Sequence, residues 1–77
     1  MSYNDSRSSA DIDNRFTHHP PTPERVKAHE AIRAAHKALA LTIAEYVHPG
    51  REHALALTNL EQSMFWANAA IARGAQQ

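Results

Sequence analysis

Cysteine is absent from the 77-residue chain, so no disulfide and no thiolate metal site can hold it together. Glycine occurs only twice, too seldom for a Walker-type phosphate loop, and no nucleophile elbow is present. Lysine plus arginine number 8 and aspartate plus glutamate number 8. The basic excess of a duplex nucleic-acid binder is therefore missing. Six histidines add positive charge only as the pH falls below about 6.5. No apolar run approaches the roughly 20 residues that cross a bilayer. The polar, serine-rich residues 1–10 do not read as a secretory leader. With cysteine also missing, the expectation is a cytoplasmic protein without membrane contact.

What remains is a short chain with helical patterning. Residues 1–14 (MSYNDSRSSADIDN) offer little to bury and are expected to form a flexible tail. Residues 15–77 are expected to form the domain, opened by an extended arm, Arg15 to Pro21 (RFTHHPP). Proline disfavours the α conformation in the residue before it, which keeps His19 and Pro20 extended. Thr22 then reads as an N-cap, Pro23 as the first helical residue, and Glu24 as a charge suited to the first turn. A first helix over about 22–47 carries an apolar stripe at Ala28, Ile32, Ala35, Leu39, Thr42 and Tyr46. His48-Pro49-Gly50 breaks it. A second helix over about 50–73 carries His53, Leu57, Leu60, Met64, Ala67 and Ile71 on one face, and Gly74 ends it. Two such helices joined by a few residues make an antiparallel hairpin. The fold class is thus all-α: a two-helix hairpin with an N-terminal arm.

One seam is little to hold fifty residues in order. Chains this small bury only about 60% of their unfolded surface, and small scaffolds need disulfides, a metal or partner chains. The second helix also carries Leu55, Phe65, Trp66, Ala69 and Ala70 off the seam, and the first helix carries Leu41. Aromatics exposed at that density mark a contact surface. The expected state is a homo-oligomeric helical bundle with Phe65, Trp66 and Ala69 in its interface. The competing reading folds the arm back over them.

Four groupings bear on chemistry. Arg15, Phe16, His18 and His19 precede Arg25, Lys27, Arg33 and Lys37 on the first helix. A ring face stacks on a nucleobase, and cations hold phosphate through charge-assisted hydrogen bonds. The plainer alternative makes Phe16 a hydrophobic staple and the cations a solvated face. Metal binding by His29 and His36 is not expected, because the pair is seven apart and no HExxH pair exists. Catalysis is not expected either, since no triad is visible and a thin hairpin has no deep pocket. Asn68, beside the seam, needs a hydrogen-bond partner if buried.

The arm Arg15-Phe16-Thr17-His18-His19-Pro20-Pro21 resembles that of small phage proteins of the anti-CBASS/anti-Thoeris helical-hairpin family. So does the second helix, from Leu55-Ala56-Leu57-Thr58-Asn59-Leu60-Glu61 to Ile71-Ala72-Arg73. The resemblance covers most of the chain after Asn14. It implies a sponge: an oligomer, hexameric in known members, that sequesters cyclic oligonucleotide or cyclic ADP-ribose-type immune signals in the infected host cytoplasm. Such proteins do not cleave the signal and need no cofactor. The expected ligand-binding set, from the grouping above, is Arg15, Phe16, His18, His19, Arg25, Lys27 and Arg33. Phe16 best matches the stacking aromatic, and Lys27 or Arg25 the phosphate-binding base. A second pocket would use Arg51 or Arg73. Phenylalanine stands here where a tyrosine would add a hydroxyl. The alternative function is a non-catalytic structural or regulatory oligomer that acts on a protein partner through Phe65 and Trp66. A third, single-stranded RNA binding, predicts steep salt dependence.

Overall fold

The computed structural model describes residues 5–74. Residues 1–4 of the expected tail and residues 75–77 of the expected domain lie outside them. Three helices follow in order: α1 (Ser6–Phe16), α2 (Pro23–Tyr46) and α3 (Arg51–Arg73), with no strand among the described residues. The long helices α2 and α3 form the antiparallel hairpin, and the all-α class read from the sequence holds.

Helix α2 starts as its sequence dictates. The Thr22 hydroxyl accepts the Arg25 amide at 3.2 Å, Pro23 opens the helix, and Glu24 sits in the first turn. It ends at Val47, whose amide donates to the Ile43 carbonyl at 2.8 Å. Helix α3 closes at Gly74, whose amide reaches the Ile71 carbonyl at 3.4 Å. Gly74 has φ −84°, so its role is a tight last turn, not the left-handed cap that glycine often supplies.

Helix α1 differs from the expectation of an irregular segment up to Asn14. Asp5 caps it by accepting the Ser8 amide at 2.8 Å, and Asp11 pairs with Arg15 at 3.0 Å, four residues on. Its end is tied by two further bonds. The Thr17 hydroxyl donates to Asp13 at 3.1 Å, and His19 Nε2–H donates to the Asn14 carbonyl at 2.6 Å. Serine, aspartate and asparagine are weak helix formers inside a helix, which is why local propensity concealed it. Arg15 and Phe16 therefore belong to a helical last turn, and the arm proper is residues 17–22.

The seam on α3 falls where periodicity puts it: His53, Leu57, Leu60, Met64, Ala67 and Ile71 are all half-buried. The seam on α2 is rotated from the expected one. Ala28 and Ile32 face inward as expected, but Ala35, Leu39, Thr42 and Tyr46 are exposed. The half-buried residues are instead Arg25, His29, Ile32, His36, Ala40 and Ile43, at steps of 4, 3, 4, 4 and 3. Those steps average the 3.6 residues of a straight helix. The difference is partly polar. His29 Nδ1 bonds Asn68 Oδ1 at 2.8 Å, and His36 Nε2 bonds Ser63 Oγ at 3.1 Å. Two hydrogen-bonded rungs thus join Ala28, Ile32, Ala40 and Ile43 on the inward face of α2.

The result is a plate, not a globule. Its extents are 53 × 36 × 16 Å, and its radius of gyration is 16.9 Å, against about 11.5 Å for a compact chain of this length. Accessible surface is 6436 Å², against about 4700 Å² expected for a compact monomer of this mass. Among the described residues no hydrophobic side chain is fully buried, and ten large ones are exposed. The excess surface is about twice the roughly 800 Å² that each partner contributes to a standard protein interface.

Candidate functional site

The hairpin register determines which groups meet. His29 lies level with Asn68 and His36 with Ser63, so the start of α2 and the end of α3 share one end of the plate. Arg25, half-buried in the first turn of α2, is level with the last turn of α3, where Arg73 is also half-buried. A cation at a helix C-terminus faces the negative end of the dipole. The last turn of α1 comes to this same end. Asp11, Asn14, Arg15 and Phe16 line a concavity of about 440 Å³ together with Trp66 and Arg73 of α3. Phe16 is 82% exposed and Trp66 69% exposed, so both rings are free to receive a planar group. The Arg15 guanidinium is held by Asp11, while Arg73 has no carboxylate partner among the described residues.

A second hollow of about 470 Å³ lies farther along the hairpin, between Arg33, His36, Lys37 and Ala40 of α2 and Leu57, Thr58, Leu60, Glu61 and Met64 of α3. Its floor is apolar and its rim carries two cations and one carboxylate. A third, shallow depression of about 430 Å³ is formed by Gln62, Phe65, Trp66 and Ala69. Phe65 is 56% exposed, and Ala69 is half-buried.

The residues grouped by sequence proximity thus separate. Arg15 and Phe16 stay together but join Trp66 and Arg73, which sequence spacing did not connect to them. Arg33 and Lys37 line the other hollow. Lys27 is exposed and lies about 200° round α2 from Arg25, so the two do not converge in one chain. His18 is exposed, whereas His19 is occupied in capping α1. Arg51 and Arg73 stand at opposite ends of α3, about 33 Å apart at 1.5 Å per residue. One pocket of a single chain cannot use both. The signal that could have revealed the Trp66–Phe16 pairing was α1 itself, through the Asp5 cap and the Ile12/Phe16 spacing of four.

Chemically the arrangement suits retention. The carbonyl of Ile32 can only accept, so His36 Nδ1–H donates to it at 2.7 Å, and Nε2 meets the Ser63 hydroxyl at 3.1 Å. This is the contact of a nucleophile with a base. Yet Ser63 sits in the middle of α3, where backbone N–H groups are committed to the helix and none is left for an oxyanion. The pair is a clasp between helices. His53 Nδ1–H similarly ties α3 to the Val47 carbonyl at 3.1 Å. Asn68, the polar residue beside the seam, is paired within its own chain by His29. No group of three histidine, aspartate or glutamate side chains among the described residues could hold a metal ion. No helix among the described residues is long and apolar enough to cross a membrane.

A paired helical hairpin with a short N-terminal helix, open on both faces, defines the class. The chain matches the family model "Acb2/Tad1, hairpin domain" over residues 8–72. It belongs to that family, the phage anti-CBASS/anti-Thoeris sponge proteins. The match begins at Ser8, inside α1, so the family's hairpin domain includes most of this helix. No curated protein and no solved structure matches the chain.

Proposed function

We propose that the protein is a phage counter-defence sponge that binds cyclic oligonucleotide or cyclic ADP-ribose-type immune signals and withholds them, uncleaved, from their effectors in the infected host cytoplasm. The observation that carries this reading is the concavity of Arg15, Phe16, Trp66 and Arg73. Two exposed aromatic faces beside two guanidinium groups suit a purine with its phosphate. Stacking contributes about 1–3 kcal/mol per base, and guanidinium groups bind phosphate in a fork. Membership of the sponge family supports the same reading. Arg15, Phe16 and Arg73 are the leading ligand contacts. His18, Arg25, Lys27 and Arg33 join them only where further copies bring other faces into reach, and His19 supports the site by capping α1. Arg51 would serve a pocket at the opposite end of the hairpin. The protein works as a homo-oligomer, hexameric by family analogy, through Phe65, Ala69 and the side of Trp66 next to them, while the other side of Trp66 borders the concavity.

Capture without catalysis needs affinity and no reactive group, and it needs no cofactor. The test is calorimetry against a panel of cyclic di- and trinucleotides and cyclic ADP-ribose isomers, followed by recovery of the bound compound. Intact recovery supports sequestration; a cleaved product would refute it. The exposure of Phe65 and Trp66 also favours a second reading, a regulatory oligomer acting on a protein partner. Silence across the whole panel would select that one.

A further inference from the structure

Helix α1 has more exposed surface than an element of its kind can sustain. Eleven residues rich in serine and aspartate fall below the roughly 12–15 at which isolated helices become even marginal in water. Its own chain gives it little. Ile12 is 51% exposed and Phe16 82%, and the hairpin borders only its last turns, at Trp66 and Arg73. Ser8, Ile12 and Phe16 stand at spacings of four on one face, with Asp13 on its flank. Asp13 has no cation partner among the described residues.

The hollow at the middle of the hairpin has the complementary need. Leu57, Leu60 and Met64 floor it, and Arg33, Lys37 and Glu61 rim it, the two cations outnumbering the carboxylate and having none within salt-bridge reach among the described residues. Its α3 wall runs from Leu57 to Met64, while the chain's own α1 lies past that stretch, against Trp66 and Arg73. From Arg33 to Ala40 the α2 wall is about 10 Å long, enough to take two turns of helix.

We infer that α1 of one copy seats in the Arg33–Met64 hollow of a second copy, with Ile12 on the leucine–methionine floor and Asp13 against Arg33 and Lys37. Phe16 and Arg15, at the end of the docked helix, then lie at the lip of the hollow beside the cations of the other copy. The exchange would reunite residues that one chain keeps apart. It rests on the self-association part of the proposed function and not on any ligand.

The test uses the absence of cysteine in the full chain. A Ser9→Cys chain is mixed with a Thr58→Cys chain, and a short bismaleimide is added. Both side chains are exposed, and neither belongs to the ligand concavity. The expected product is a crosslinked pair containing one of each chain. Adding Ile12→Asp to the first chain should lower its yield about tenfold, as removal of one buried aliphatic anchor would. Sedimentation is run in parallel. An oligomer without the mixed crosslink would overturn the placement of α1 while leaving self-association standing. A monomer would overturn both. A third chain carrying both substitutions is run alone at high dilution; a link within it, with no mixed crosslink between the single-cysteine chains, would show that α1 covers its own hairpin and would overturn the exchange.

Discussion

Replacing Asn68 by alanine removes the acceptor that His29 Nδ1–H meets at 2.8 Å, the rung nearest the open end of the hairpin. Both residues are half-buried, so water can reach the orphaned imidazole and soften the loss. A typical net hydrogen bond contributes about 1 kcal/mol, and a fully buried orphan costs about 1–3 kcal/mol. The expected loss for Asn68→Ala lies near the lower value. For a domain of this size 1 kcal/mol shifts the midpoint by roughly 4–8 °C. His29→Ala should lose a similar amount, and the double substitution little more than either alone. The coupling from the complete cycle should be about 1 kcal/mol. The assay is urea unfolding followed by far-UV circular dichroism at one fixed protein concentration, since self-association would shift the apparent stability by mass action. Independent sites add within about 0.3–0.5 kcal/mol. Additivity within that margin would refute the view that this rung couples the two helices.

Phe16→Ala should weaken binding of a cyclic nucleotide by at least about tenfold, the lower range of one lost stacking contact, with sedimentation unchanged; calorimetry reads the first and ultracentrifugation the second. Trp66→Glu places a charge on a residue already 69% exposed. Helical content should persist while the oligomer dissociates, read by circular dichroism and size-exclusion chromatography with light scattering. Thr22→Ala deletes the cap that accepts the Arg25 amide and should lower stability by about 1 kcal/mol, measured by urea unfolding. Asp5→Ala removes the cap of α1 and should raise amide exchange across residues 6–16 without affecting α2, measured by hydrogen exchange with mass spectrometry.

The hairpin was legible because its punctuation is local. Thr22-Pro23 begins a helix, His48-Pro49-Gly50 separates two, and the α3 seam of Leu57, Leu60, Met64 and Ile71 is apolar enough to declare its face. The inner face of α2 was misread because hydrophobicity alone favours Leu39 and Tyr46, while histidine reads as a surface residue. Only the partners across the gap, Asn68 and Ser63, make His29 and His36 seam residues. Such pairing is non-local and leaves no periodic trace. Helix α1 was hidden by its composition, and with it the approach of Phe16 to Trp66 and Arg73. The candidate site was therefore half legible: Arg15 and Phe16 were singled out from the arm, but their neighbours come from fifty residues downstream. The scattering of Lys27, Arg33 and Arg51 over different faces and ends was equally invisible, because proximity in a list of residues is not proximity on a helix.

A body only 16 Å thick has no inside. Nearly every position on such a plate is within one side chain's length of whatever lies next to it. A substitution that would be absorbed silently by the interior of a globule is here presented at the surface. A short stretch of sequence thus specifies a large area of contact, and variation within it falls mainly on what the protein touches.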